Sequence, residues 1–594
     1  MMHPFENADV ATRTDQQEYV DFFPAGYRIG RTKYIFVTGG VMSGVGKGVF
    51  TASLACLLQH WGLSVTCIKI DGYLNYDAGT LNPYRHGETF VLGDGTECDM
   101  DLGTYERFLD QDLDSTNYIT SGKVYSLILA KERRGDYLGR DVLVIPHVTG
   151  EIKQMIREKA RTGGYDVVLV EIGGTVGDIE NLHFVEAARE LMHDEGRDNV
   201  MFCHLTMVPY NEAAGEQKSK PTQHSVKKLL EMGVQPDMVV CRSQTALQDK
   251  IRQKISLYCN IAETAVVSSP QIDCIYKLPA VLHSQQVARL AAKRLAISLP
   301  HLAKARIRPP MGLYINHDAR LAEPLRLAMA GKYASMRDTY VSITNALVHL
   351  EPAENVRFEV SFIDTTAYDD PNTPLPAEVD KYDGVIIPGG YGTRGTEGMI
   401  RFIRHAREKS IPMLGLCFGF QLAAIELARN VCGLEGADST EFAEDTPHPV
   451  ICLLPEQEGK ETFGGTQRLG DHEVKLVPDT KAAELYGKTS PKERFRHRWE
   501  FNPEYRETFE EHGVRFSGTT PDGRIMQILE LDDHPFFIAT QFHPEWHSRP
   551  LAPHPLWRGF VRECREQKHR RESAASAAAA AAAEPAASAE PAAA

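Results

Sequence analysis

The chain has 594 residues, 42% of them apolar, which is too long for one compact domain and sufficient for two cores of ordinary size. A formal net charge of −15 argues against nucleic acid or a membrane surface as a partner, so an anionic ligand must be met by a local cluster of Lys and Arg. The 11 cysteines are scattered without a C-x-x-C pair, which excludes a secreted disulfide scaffold and fits a reducing cytoplasm.

Residues 1–32 read as a polar extension whose "YVDFFPAGY" carries aromatics able to pack on the body, and the first residues lack the apolar core of a signal peptide. From 33 to 300, "KYIFVTGG" and "LSVTCIKID" predict strands, with Phe50, Leu54, Leu57, Leu58 and Trp61 at helical spacing between them. "DVVLVEIGG" and "DMVVCRS" are nearly continuous apolar runs, the kind a parallel sheet buries on both faces. Pro and mixed charge interrupt the pattern at 301–325, read as a linker. A second series over 326–570 follows with "LRLAMAGKY", "VRFEVSFID", "DGVIIPGG", "IPMLGLC" and "FFIATQFHPE". Both halves are expected to be doubly wound α/β domains. The Ala-rich end, 571–594, has too little apolar bulk for a core and is expected to be disordered. No apolar run reaches the roughly 18 residues a membrane helix needs.

"YIFVTGGVMSGVGKGV" has the strand, glycine loop and helix order of a phosphate cradle. Gly39, Gly40, Gly44, Gly46 and Gly48 allow close backbone approach, and Lys47 reaches the outer phosphates. The usual loop places Ser or Thr after this lysine to hold magnesium, and here Gly48 offers no hydroxyl. The metal must then be held by carboxylates elsewhere. Asp101 in "CDMDLGTYERF" and Glu171 at the carboxyl end of its strand are the candidates, against a solvated surface role for each. "HGETFV" with His86 and Glu88, "GTVGDIE" with Asp178 and Glu180, and "GEQKSKPTQHS" are further dense polar runs. On an extended segment Lys218 and Lys220 would point the same way and make a fork for a triphosphate, the alternative being a solvated charged loop.

In the second half "GLCFG" has the G-x-nucleophile-x-G form of a strained strand-to-helix elbow around Cys417. The N–H groups of Phe418 and of Gly389 in "IIPGGYG" would face a developing oxyanion. "TQFHPE" offers His543 as base and Glu545 as its orienting partner, on one side of an extended segment with Pro544 turned away.

Taken together, "YIFVTGGV", "SGVGKG", "DLGTYERF", "KERRGDYLG", "VEIGGTVGDIE", "KPTQHSVKKLL", "YKLP", "GLCFGFQ" and "QFHPE" resemble the CTP synthases over residues 33–570, the second half being similar to class I glutamine amidotransferases. The resemblance implies a ligase that phosphorylates the 4-oxygen of UTP with ATP and displaces the phosphate with ammonia from glutamine, giving CTP and closing pyrimidine nucleotide synthesis. It implies that Ser43, Gly44, Val45, Gly46, Lys47, Gly48, Lys69 and Asp101 bind ATP, and that Asp101 and Glu171 hold Mg2+. Ser43, Asp178, Ile179, Glu180, Lys218, Ser219, Lys220, Pro221, Thr222, Gln223 and Lys254 fall at UTP and CTP positions, with Asp178, Ile179 and Glu180 at the pyrimidine end of CTP. Gly389, Gln421, Glu441 and Arg498 fall where glutamine is held. It further implies GTP as activator, CTP as product inhibitor, and a homotetramer able to form filaments. Three departures stand out: "SGVGKG" for "SSLGKG", Gly72 in "KIDGY" and Ala78 in "NYDAGT", the last two where the family has proline. A cobyrinic acid diamide synthase, or a partitioning-type ATPase or filament scaffold with retired sites, shares parts of the pattern, and CTP formation discriminates among them.

Overall fold

The computed structural model describes residues 23–137, 139–297, 311–317, 322–453 and 465–583. The described chain divides into two compact units, one of Leu92–Asn316 with the chain up to Leu81, the other of Asn82–Val91 with the chain from His317 onward. The short stretch Asn82–Val91, expected in the first domain, therefore belongs by its packing to the second.

In the first unit seven parallel strands are β1 (Lys33–Gly39), β2 (Val65–Asp71), β3 (Tyr118–Thr120), β4 (Val167–Ile172), β5 (Val200–Met207), β6 (Met238–Ser243) and β7 (Val266–Pro270). Their order across the sheet is β7-β6-β5-β1-β4-β2-β3. Every residue of β2 and β4 is buried, as a sheet covered on both faces requires. Phe36 and Phe202 stack across β1 and β5, ring centroids 5.3 Å apart, inside a core that also takes in Ile70, Val170 and Leu191. Because chain connections reverse direction around β1, the crevice beyond the carboxyl ends of β1 and β4 is where such a sheet binds ligands. The helices that matter there are α1 (Lys47–His60), α2 (Met100–Leu109) and α3 (Lys220–Glu231). Of the extension's aromatics, Phe23 and Tyr27 pack on the body: the Phe23 ring lies 4.0 Å from the guanidinium of Arg157, and the Tyr27 hydroxyl is 2.7 Å from that of Tyr34; Tyr19 and Phe22 lie outside the described residues.

The second unit is built on β8 (Glu323–Gly331), β9 (Val356–Asp364), β10 (Gly384–Ile387), β11 (Met413–Leu416), β12 (Lys475–Leu476), β13 (Val514–Thr519), β14 (Met526–Leu531) and β15 (Phe537–Thr540), ordered β9-β8-β10-β11-β15-β14-β13-β12. Pairing is parallel from β9 to β15 and antiparallel beyond it. Alternation along β10 sends Val385 and Ile387 into one hydrophobic cluster and Ile386 into the other, so both faces are dry. Helix α4 (Val341–Glu354) and helix α5 (Phe418–Asn430) flank the strands.

The last helix, α6 (Pro555–Ala583), buries Leu556, Trp557, Phe560, Val561 and Cys564 against the sheet. It continues to Ala583, into the segment expected to be disordered, because alanine has the highest helix propensity. Residues 584–594 lie outside the described residues. So do 301–310 and 318–321 of the expected linker, within which Met311–Asn316 is helical.

The buried stripe of α6 leads to an expected outcome. Phe560→Ala should cost the second unit about 3–5 kcal/mol, read as a lowered urea midpoint, while Ala574→Gly on the exposed part of α6 should cost about 1 kcal/mol or less. Equal effects would contradict the packing described.

Candidate functional site

The glycine loop leaves β1 and enters α1 through Gly46, whose φ of 96° is left-handed and suits glycine. Ser43 and Gly44 are exposed, Val45 is buried, and Lys47 is buried with its Nζ donating to the Gly174 carbonyl at 2.7 Å. Val176 N–H donates to Gly39 O at 2.8 Å, tying the loop after β4 to the cradle. Behind the cradle His204 bridges Thr38 and Ser225 at 2.8 Å on each side. Burial, with the Lys47 charge adding, depresses this imidazole to about 3, so it is a neutral strut.

Strand register places Lys69 of β2 directly beside Glu171 of β4. The Lys69 ammonium bonds to Asp101 of α2 and lies 3.4 Å from Asp99, 3.6 Å from Glu171 and 3.8 Å from Asp71. Burial works against this ammonium, but Asp101, Asp71, Asp99 and Glu171 outweigh it and hold its proton well above the usual lysine range. Burial pushes Glu171 up to about 7, Lys69 opposing and Asp101 adding to the rise. Asp101 runs the other way, since Lys69 overcomes its burial and keeps the carboxyl below its ordinary value. Lys47 is lowered, by burial first. Tyr105 hydroxyl donates to Glu171 and fixes its second oxygen.

Why the loop ends in glycine is visible here. A Cβ on residue 48 would lie 2.0 Å from Asp101 Oδ1, so the carboxylate stands where a Ser or Thr side chain would be. Asp101 and Glu171 thus come from separate elements to one cationic position, and magnesium commonly takes one or two carboxylates with substrate phosphates completing its shell. Among the described residues no three His, Cys, Asp or Glu side chains form a fuller metal cage.

Asp178 accepts from Thr175 N–H at 2.8 Å on an exposed turn, beside Ile179, which is 82% exposed, and exposed Glu180. Lys218 pairs with Glu216 at 2.5 Å, and Lys254 also acts on that carboxylate. The expected extended fork does not form, because Lys220 already opens helix α3, with Pro221 in its first turn. Ser219 Oγ accepts from Gln223 Nε2 at 3.0 Å, and Thr222 bonds to Thr206 at 2.9 Å.

In the second unit Cys417 has φ 51° and ψ −97°, outside the ordinary regions for a residue with a side chain. The elbow fits because its neighbours are glycine: a Cβ on Gly419 would lie 2.3 Å from Ile387 O, and one on Gly415 2.9 Å from Ala539 Cβ. Phe418 opens α5, so its N–H is one of the free donors at that end. A Cβ on Gly389 would stand 3.2 Å from His543 Cε1 and 3.8 Å from Cys417 Cβ, which places the Gly389 turn against both. A cavity of about 80 Å³ opens beside Gly389, Cys417, His543 and Tyr333. His543 Nδ1 is 2.7 Å from Glu545 Oε1, although Glu545 sits in the helical turn Pro544–His547 rather than on an extended segment. Burial alone would lower the imidazole, but the Glu545 carboxylate and the Cys417 sulfur more than reverse this and raise it to about 10.

Gln421 Nε2 donates to Trp499 O at 2.8 Å, Glu441 accepts from Gly392 N–H at 2.7 Å, and Arg498 donates to Thr466 at 2.7 Å. Residues that the sequence reading did not single out are Asp71, Asp99 and Tyr105 around Lys69, and Trp546, whose indole stacks on His543 with centroids 3.9 Å apart. The acidic spacing of "CDMDLG" was a usable signal for Asp99. Nothing local pointed to Asp71 or to the stacked indole.

The charge on His543 sets a pH dependence. Its folded value lies above the ordinary 6.5, so the stabilisation from its ion pairs is complete below about pH 6.5 and is lost as pH rises through about 10. The urea midpoint of the parent should therefore fall across that window, and Glu545→Gln should flatten the decline. Identical slopes would remove the assigned pairing.

Residues 33–297 match the family described as CTP synthase N-terminus, and residues 335–563 match glutamine amidotransferase class-I. A CTP synthase of Thermococcus gammatolerans is 51% identical over 541 residues, covering 91% of this chain and 99% of the relative. One from Shouchella clausii is 48% identical over 530 residues, covering 89% and 98%. A solved glutaminase domain of Trypanosoma brucei CTPS with bound acivicin is 32% identical, with TM-score 0.38, covering 41% of this chain and 94% of its own. With about half of its residues shared with relatives matched over nearly their whole length, this chain belongs to the CTP synthase family.

Proposed function

We infer that the chain aminates UTP to CTP, consuming ATP and taking ammonia from glutamine. The observation that carries this is the pairing, on one chain, of a glycine cradle beside the Lys69 charge cluster with a Cys417–His543–Glu545 constellation. A pyrimidine O4 is a poor leaving group as oxide and a good one as phosphate. Transfer of the γ-phosphoryl of ATP to O4 gives 4-phosphoryl-UTP, and ammonia then displaces phosphate. Lys47 and the loop amides from Ser43 to Gly48 hold the ATP phosphates, and Lys69 keeps the surrounding carboxylates in place. The donor set fits magnesium, with Asp101 and Glu171 as its protein ligands; such an ion neutralises charge on the triphosphate when bound. Lys218, Ser219, Lys220, Pro221, Thr222, Gln223 and Lys254 meet UTP or CTP, while Asp178, Ile179 and Glu180 read the pyrimidine of inhibitory CTP.

In the glutaminase half Cys417 attacks the carboxamide carbon, the oxyanion is met by the Phe418 and Gly389 N–H groups, and His543 gives a proton to the departing ammonia. His543 then draws a proton from the water that hydrolyses the thioester, with Glu545 fixing the ring. Gln421, Glu441 and Arg498 position glutamine. GTP activates this half, the protein is a homotetramer able to form filaments, and the cytoplasm is its compartment. No helix among the described residues is long and apolar enough to cross a membrane.

Cys417→Ala should abolish CTP formation with glutamine and leave it with added ammonia, both followed by absorbance; loss of both would mean the two sites are misassigned. Glutamine hydrolysis wholly indifferent to UTP, ATP and GTP would refute the coupling of the two halves. Gly48→Ser, which restores the usual loop hydroxyl, should be harmful here, because its Cβ displaces Asp101. A rise in the KM for ATP or a fall in kcat of about tenfold or more is expected, and parent-like kinetics would overturn the role given to Asp101.

A further inference from the structure

Glu88, in the "HGETFV" run, has no part in the chemistry derived above. It lies on Asn82–Val91, the stretch that packs in the second unit although the chain on both sides of it belongs to the first. Its backbone N–H donates to Asp338 O at 3.1 Å, and Arg494 Nη1 donates to Val91 O at 3.0 Å, so the stretch is held at several points. Both oxygens of the Glu88 carboxylate accept from N–H groups. Oε2 takes the Ser342 backbone N–H at 3.0 Å, in the first turn of α4, where free amides and the helix dipole favour a negative charge. Oε1 takes the indole Nε1–H of Trp546 at 2.6 Å.

Trp546 is the group on which His543 rests. The two rings are stacked and nearly parallel, their planes 12° apart at 3.9 Å between centroids, and the backbone N–H of Trp546 donates to His543 O at 3.1 Å within the same turn. Phe90, two residues beyond Glu88, meets the indole edge-on at 5.7 Å. On an extended stretch residues i and i+2 face one way, so Glu88 and Phe90 grip the same indole together. A tryptophan only 2% exposed satisfies its single donor here. A carboxylate hydrogen-bonded to the indole N–H also enriches the ring in electrons, and a cation prefers an electron-rich face.

We propose that Glu88 is a positioning residue for glutamine hydrolysis: its carboxylate fixes the indole of Trp546, and the indole holds the His543 ring in the plane from which it serves Cys417. The inference rests on the glutaminase reading given above. Glu88→Gln is the informative change, because an amide accepts at one atom only and its NH2 would confront the other N–H donor. Trp546→Phe keeps a stacked ring and removes the donor.

The test is steady-state glutamate release by the full chain with saturating UTP, ATP and GTP. A parent unable to hydrolyse glutamine would sink the glutaminase reading itself, not this inference alone. With an active parent, each single variant should lose about tenfold or more in kcat with the KM for glutamine within about twofold. The double variant should be no slower than the slower single, since both changes break one link. Values of kcat within about twofold of the parent, a rise in KM without a fall in kcat, or losses that multiply in the double variant would each overturn the proposal. If Glu88→Gln does not fold, as judged by its unfolding midpoint, Trp546→Phe decides alone by the same kcat criterion.

Discussion

An ammonium group shut inside a parallel sheet survives only if negative charge surrounds it, and the first unit is organised around that requirement at Lys69. Its four carboxylate neighbours come from β2, from the start of α2 and from the end of β4. The cluster holds more negative charge than Lys69 and Lys47 neutralise, which suits it to a cation and the phosphates that accompany one. Glu171 is raised, by burial first, while Asp101 is lowered because the Lys69 ammonium overcomes its burial, so the two carboxylates differ in character.

The second site obeys the same rule with different chemistry. His543 is buried between an acid and a sulfur, and it keeps its proton because Glu545 and Cys417 outweigh the cost of burial. In both places a missing side chain makes the approach possible. Gly48 leaves room for a carboxylate, and Gly415, Gly419 and Gly389 leave room for a strained cysteine and its imidazole. Glycine here admits a specific neighbour, beyond any need for a flexible turn.

The two lost prolines have local explanations of the same kind. Ala78 N–H donates to Glu97 O at 3.1 Å, a bond proline could not make. A Cβ on Gly72 would lie 2.3 Å from Asn181 Oδ1, so the site admits little beyond glycine. Both substitutions are accommodated by neighbours that sequence distance conceals.

Much of the architecture was legible in the amino-acid order. Runs such as "VVLVEI" declare strands buried on both faces, the glycines around Lys47 and Cys417 declare sharp turns between strand and helix, and His543 and Glu545 lie close enough in sequence to suggest their pairing. Patterns of this kind record burial and turning, which are local. The partners of Lys69 were not local: register puts it beside Glu171, and the fold of α2 brings Asp101 into the space Gly48 leaves open. Lys218 and Lys220 looked like a fork only because the start of α3 could not be located to the residue. Packing alone assigned Asn82–Val91 to the second unit and set Glu88 on Trp546, since a contact between residues far apart in the chain is selected by shape and charge in the folded state, and neither is written in the neighbouring letters.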